Sequence, residues 1–168
     1  MALLKIARLG HPVLLGRAAD VPDATAPEIR RLIADMAETM ADAGGIGLAA
    51  PQVHVPLRVF LFRAGQGAPH VLINPEVTPL DDEIATAWEG CLSIPGLRGA
   101  VPRPARVRFR GLDQDGAAIE GEAEGIVARV IQHENDHLDG VLYLSRMTDL
   151  TQLGFTEELA RREKEEAA

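Results

Sequence analysis

Cysteine is almost missing from these 168 residues: Cys91 stands alone, which excludes an intramolecular disulfide and fits a reducing compartment. Basic charge is also short. Seventeen Lys and Arg face 25 Asp and Glu, a formal net charge of −8, so neither nucleic acid nor an anionic membrane is expected as a direct partner. No apolar run approaches the length of a membrane span, and the opening M-A-L-L-K-I-A-R-L-G-H-P lacks the basic start and long apolar run of a secretion signal. A cytoplasmic protein is the expectation. The chain has no internal repeat and no low-complexity segment, and its 46% apolar content suffices for one domain, residues 1–168, with a substantial core.

What the chain does contain is organised around residues 132–140, Q-H-E-N-D-H-L-D-G. His133 and His137 are four apart, a spacing that puts both imidazoles on one helix face within reach of a single metal ion. Glu134 between them lies about 100° round the helix, placed to handle a proton of water at the metal without ligating it. Ile126 and Val130 share the histidine face, Ala128, Asn135 and Asp139 fall opposite, and Gly125 and Gly140 bracket the segment as an amphipathic helix. Catalytic centres of this kind use three protein ligands and leave a fourth position open. Cys91 completes a Cys-His-His set, with its thiol deprotonated by the metal. A Cys91 nucleophile would leave the histidine spacing unexplained.

Elsewhere the chain reads as mixed. Residues 3–9 suit a short strand or extended arm, and Gly10, Pro12 and Gly16 keep the next stretch from becoming helical. Residues 26–43 form the clearest ordinary helix, with a capping-box spacing from Thr25 to Glu28 and an apolar stripe of Ile29, Leu32, Ile33, Met36 and Met40. Gly44 and Gly45 end it and lead into G-I-G-L-A-A-P-Q, small residues that allow close backbone approach; this run lacks the Gly-Lys-Ser/Thr ending of a phosphate loop. Strand-like runs come next at residues 57–62 and 71–74, with Pro75 and Pro79 marking turns, and strand character returns at residues 88–96. Residues 105–122 read as a hairpin turning at Asp113 to Gly116, with Arg106, Arg108 and Arg110 on a solvated face. The tail after Thr156 suits a helix with Glu157–Arg161 and Glu158–Arg162 pairs.

Three stretches together resemble the signature motifs of the peptide deformylase family: G-I-G-L-A-A-P-Q at residues 45–52, E-G-C-L-S at 89–93 and Q-H-E-N-D-H-L-D-G at 132–140. The likeness extends through G-H-P-V-L near the start, I-P-G-L-R-G and the L-D-x-D-G hairpin turn. It implies an α+β fold with antiparallel strands around a central metal-binding helix, and removal of the formyl group from the N-terminal formyl-methionine of nascent proteins. Carried over by residue, it implies that Cys91, His133 and His137 hold the metal and that Glu134 is the general acid/base. The Leu92 N–H and the Gln52 amide would stabilise the oxyanion, Gly47 would bind peptide backbone, and Ile46, Glu89, Ile126 and Val130 would border the methionine pocket. The resemblance favours Fe2+, with Zn2+, Ni2+ or Co2+ as alternatives for the same donors. It also implies a monomer that transiently approaches the ribosome.

Departures from the family pattern are few. Leu15-Gly16 stands where many members have a basic residue, and Arg129 lies beside the pocket where apolar residues are common, extending over the rim or facing solvent near Asp136. Arg98 is expected to contact the peptide or brace Glu89. Two rivals stand against the deformylase reading: a zinc peptidase, which would take a third ligand from Glu157 or Glu158 and leave Cys91 idle, and a non-catalytic module whose structural metal would need a fourth ligand.

Overall fold

Two glycines with positive φ, Gly125 (59°) and Gly140 (72°), delimit the segment that carries both histidines. In the computed structural model, which describes residues 2–166, this segment is helix α2 (Gly125–Leu138) and it packs against strands of two separate sheets. Chain order before it is α1 (Pro27–Asp42), β1 (Gly47–Ala49), β2 (Val59–Phe62), β3 (His70–Pro79), β4 (Ile84–Cys91), β5 (Ile94–Pro104), β6 (Arg106–Leu112) and β7 (Ala118–Glu124). After it come β8 (Leu153–Phe155) and α3 (Thr156–Glu166). A five-stranded sheet runs β1-β2-β3-β6-β7 and a three-stranded sheet runs β4-β5-β8; every pairing within them is antiparallel. The architecture is α+β, with antiparallel strands around the histidine helix and α1 packed outside.

Strand β2, V-F-L-F, has no polar position because both faces of the large sheet are covered. Val59 and Leu61 turn to Ile29, Ile33, Met36 and Met40 of α1, while Phe60 and Phe62 join Ala128, Val130, Ile131 and Leu138 of α2. A smaller cluster of Ile94, Val101, Leu142 and Tyr143 fills the three-stranded sheet. The α1 stripe thus packs as its spacing indicates, with Leu32 at the edge of its cluster.

Several local expectations are corrected. Helix α2 is not amphipathic in the simple sense: Ala128, expected opposite the histidines, is fully buried, because the large sheet covers that side while the small sheet covers the other. Ile126, on the histidine face, is 61% exposed. The capping box is absent. Ala26 is the N-cap of α1, and the Thr25 hydroxyl donates to Asp23 Oδ1 at 2.7 Å instead. Pro75 and Pro79 lie within β3 rather than in turns; a register break between Ile73 and Glu76, with Asn74 at φ 50°, accommodates Pro75. Residues 3–9 are an extended arm without strand pairing, tied by Ala7 N–H to the Gln52 carbonyl (2.7 Å) and Leu9 N–H to the Ser93 carbonyl (2.9 Å).

The hairpin of β6 and β7 forms as expected, and its arginines are exposed but paired. Arg106 bonds Asp81, Arg108 Nη2 reaches Glu122 at 2.7 Å and Arg110 Nε reaches Glu76 at 3.0 Å. Such surface pairs add little stability each. Among the described residues strand β7 is a free edge, and Glu120, Glu122 and Glu124 alternate along it as exposed residues. On α3, Glu158 pairs with Arg161 at 3.0 Å.

Candidate metal centre

One turn of α2 separates His133 from His137, and their ring centroids are 5.0 Å apart. Cys91 ends β4, immediately before the two-residue turn Leu92-Ser93 into β5, so the short hairpin of the small sheet delivers its sulfur to the helix. Ligand atoms of Cys91, His133 and His137 lie within 4.8 Å of one another, the one such cluster among the described residues. Cys91 Sγ is 3.3 Å from His137 Nε2. Glu157 and Glu158 stand exposed on α3 outside this cluster, which removes the third ligand of the peptidase reading.

The second nitrogen of His133 is already committed. Its Nδ1 lies 2.8 Å from Glu89 Oε2, and Glu89 is ionised: burial pushes its carboxyl up, but hydrogen bonds from His133 and Arg103 outweigh that and hold it at about 2. A carboxylate accepts only, so Nδ1 carries the proton and Nε2 is left for a metal. Arg103 grips Glu89 through Nε (2.6 Å) and Nη2 (3.0 Å), and Arg129 Nη1 adds a further bond at 2.7 Å. Arg103 Nη1 also donates to Asp136 Oδ2 at 2.8 Å, and half-exposed Arg146 donates to Asp136 Oδ1 at 2.7 Å. An unbroken chain of ion pairs therefore leads from His133 to the surface.

The donor set suits a divalent cation in its protonation as well as its chemistry. Burial pushes His137 well below its ordinary value, so it is neutral and ready to ligate. For His133, burial acts downward too, but hydrogen bonds to Cys91 and Glu89 prevail and raise it to about 10 in the absence of a cation. Metal binding would therefore compete with a proton on His133.

Glu134 is buried with its Oε2 bonded to no group among the described residues, and burial raises its carboxyl to about 7. Strand β1 makes room for it. A Cβ at Gly47 would stand 2.3 Å from Glu134 Oε1 and 2.8 Å from its Cδ. Gly47→Ala is expected to push the carboxylate aside and lower turnover about a hundredfold, the scale of a misplacement of about 1 Å. Steady-state rates with metal content measured in parallel would check this; full activity in Gly47→Ala would show that Glu134 does not work from this position.

Gln52 closes the opposite side. Its Oε1 accepts from the Ala49 N–H at 2.9 Å, which fixes the amide so that Nε2 points to Ser93 Oγ (3.2 Å) and Cys91 Sγ (3.5 Å). Gln52 and Cys91 border a cavity of about 580 Å³, with Ile46, Gly47, Leu92, Ile126, Val130, His133 and Glu134 also in its wall. The cavity lies between two sheet edges, β1 with the preceding Ile46 on one side and β4 at Trp88 to Gly90 on the other.

All the residues picked out in the sequence therefore meet at one place, with three adjustments. Glu89 borders the cavity, but both carboxylate oxygens are spent on His133, Arg103 and Arg129. Arg98 does not brace Glu89: it is exposed at the cavity, and Arg103 does the bracing. Arg129 neither caps the rim nor faces solvent; it is buried. Arg103, Asp136 and Arg146 were missed. Only Asp136, one turn from Gln132 within the histidine motif, carried any signal.

Known proteins resemble the chain over most of its length. The family model for polypeptide deformylase matches residues 3–153. Peptide deformylase 1 of Bordetella pertussis is 52% identical over 163 residues, 92% of this chain and 93% of its own. A Synechococcus elongatus peptide deformylase solved in complex with actinonin aligns with a TM-score of 0.84 at 39% identity, over 89% of this chain and 81% of that one. A class I type b peptide deformylase from Acinetobacter baumannii, solved with Met-Ala-Ser bound, aligns with a TM-score of 0.82 at 33% identity, over 86% and 98% of the two chains.

Proposed function

The chain belongs to the polypeptide deformylase family and removes the N-formyl group from nascent peptides, and on that premise we propose how its own residues carry the reaction. The observation that supports the reading best is that Glu134, Gln52, Cys91 and His133 line one cavity between two sheet edges, with His137 completing the Cys-His-His cluster. A substrate in extended conformation fits there as an added strand, its backbone meeting the free edges of β1 at Gly47 and β4 at Gly90. Ile46, Ile126 and Val130 supply the apolar wall for the first side chain, the methionine of a formyl-methionyl terminus.

Cys91, His133 and His137 would hold a divalent metal, which supplies Lewis acidity that lowers the pKa of the attacking water. Glu134, as carboxylate, takes a proton from that water as its oxygen adds to the formyl carbon. The developing oxyanion receives the Gln52 Nε2–H and the Leu92 N–H, donors fixed before the charge appears. Glu134 then delivers its proton to the amide nitrogen, the C–N bond breaks, and formate and a free amine leave. Ferrous iron is the proposed physiological metal, on family grounds and because thiolate with two imidazoles suits it as well as Zn2+, Ni2+ or Co2+. Work on emerging chains further proposes a cytoplasmic enzyme, monomeric and in passing contact with the ribosome; no described helix is long and apolar enough to cross a membrane.

Gln52→Leu removes an oxyanion donor and its hydrogen bond to Cys91 Sγ while leaving all three ligand side chains in place. Formate release from formyl-Met-Ala-Ser should fall about 10²- to 10³-fold with metal content unchanged. A Gln52→Leu enzyme that kept its kcat would take Gln52 out of the oxyanion role.

A further inference from the structure

Helix α2 presents Ile126, Arg129, Val130 and His133 to the cavity. Three of these suit an apolar guest or a metal, and Arg129 suits neither. Its side chain is only 8% exposed, so a cation forms part of the wall beside Ile126 and Val130. Nη1 donates to Glu89 Oε1 and to the Val101 carbonyl, each at 2.7 Å, and Nη2 donates to the Ala85 carbonyl at 2.6 Å. A guanidinium has five N–H donors. These bonds use three and leave Nε–H and one Nη2–H without an acceptor among the described residues. Unspent donors in the wall of a concave, largely apolar site are the groups that orient and select a ligand.

Arg129 precedes His133 by one helical turn, about 5.4 Å along the axis. In the deformylase reading, on which this inference rests, the formyl carbon reacts beside His133. The first side chain then runs along the helix face towards Val130 and Arg129, and a methionine sulfur, two methylenes from Cα, arrives at about that depth. A thioether accepts a hydrogen bond only weakly, whereas its sulfoxide is polar, chiral and a strong acceptor. A wholly apolar pocket would strip water from the sulfoxide oxygen and return nothing.

We propose that the free N–H groups of Arg129 extend the substrate range to peptides whose first residue is N-formyl-methionine sulfoxide, and that they select one of its two epimers. Anchorage to Glu89, Val101 and Ala85 fixes the directions of the remaining donors, so only one configuration at sulfur brings its oxygen to them. The sulfoxide itself is unchanged in the reaction; water replaces the formyl C–N bond as it does for methionine.

The experiment measures kcat/KM for formate release from formyl-Met-Ala-Ser, the formyl-norleucine analogue and each epimer of the formyl-methionine sulfoxide peptide, using iron-loaded parent, Arg129→Met and Arg129→Lys. One epimer should react within about tenfold of formyl-methionine in the parent. Arg129→Met should lower the ratio of that epimer to formyl-methionine about ten- to a hundredfold, the range for a hydrogen bond to a charged donor, while methionine and norleucine change by a common factor. Arg129→Lys should retain part of the ratio. Because the readout is a ratio within one enzyme, any loss of metal or of Glu89 bracing cancels. A ratio unmoved by Arg129→Met, or rejection of both epimers by more than a hundredfold in the parent, would overturn the proposal. Should Arg129→Met not fold, equal rates for the two epimers in the parent would overturn it as well. Failure of the loaded parent on formyl-methionine itself would strike the deformylase reading instead.

Discussion

Glu134→Gln should keep its metal and lose on the order of 10³–10⁴ in formate release, the upper part of the range for a positioned acid/base. The substitution preserves shape against Gly47 and removes only the capacity to take up and return a proton. In the proposed mechanism both proton transfers pass through this one group, and no neighbour is placed to substitute: Glu89 is saturated by His133, Arg103 and Arg129, and Asp136 by Arg103 and Arg146. The pH profile carries the same assignment. Burial raises the Glu134 carboxyl to about 7, and the base works only when ionised, so the parent's rate should fall tenfold per pH unit on the acid side of a midpoint at or below about 7. A bound cation favours the carboxylate and moves that midpoint down. Glu134→Gln should lack this limb in whatever activity remains. Substantial turnover in the metal-loaded variant, or a residual rate with the parent's acid limb, would dismiss Glu134 as the base.

Removal of the metal, by chelation or by Cys91→Ala, should abolish turnover and leave the fold in place. The core clusters around α1 and the two sheets are built from apolar side chains, with Cys91 the one ligand packed against any of them, unlike a small domain held together by a structural ion. Proton linkage gives the test its sign. His133, raised from 6.5 to about 10 in the metal-free protein, contributes stability that is fully present below 6.5 and is lost as pH rises through about 10. Glu134, raised from 4.5 to about 7, acts in the same direction between those values, whereas Glu89, lowered to about 2, contributes stability above 4.5 that is lost as pH falls through about 2. The metal-free protein should therefore lose melting temperature from pH 7 to 10, and the loaded protein, with a cation in place of the His133 proton, should not. Metal affinity should rise at least tenfold from pH 6 to 7, since binding displaces that proton. Calorimetric unfolding at the two ends of the range would check the first statement. A metal-free protein that is unfolded at pH 7 would mean the ion is structural, and a pH-independent affinity would mean the His133 proton is not displaced.

The site was more legible in the sequence than the fold. His133, Glu134 and His137 follow a helical spacing and Cys91 is unique, so their meeting could be inferred without coordinates. Features set by long-range contact were not. Ala128 looks like a solvent-face residue in the local pattern and is buried because the sheet carrying Phe60 and Phe62 covers that side of the helix. Thr25 has the spacing of a cap, but the helix begins one residue later with Ala26 as its N-cap, and the Thr25 hydroxyl donates to Asp23 Oδ1 instead of accepting from the first turn. The three-residue strands β1 and β8 are too short for periodicity to reveal. Arg103 sits between two prolines with no pattern to mark it. Its importance arises from β5 pairing antiparallel with β4, which carries Glu89, while Asp136 approaches from the helix.

The free edge of β7 bears on how this protein behaves when it is concentrated. An open strand is a template on which a second copy can build, and under the proposed binding mode β1 and β4 must remain open to that same kind of pairing. Strand β7 has no such duty, and Glu120, Glu122 and Glu124 alternate along it. A second β7 laid against the first would bring carboxylates opposite carboxylates, a repulsive register that blocks sheet growth at the end of the molecule farthest in strand order from β1. Charge on β7 thus works against edge-to-edge association without involving the edges of β1 and β4.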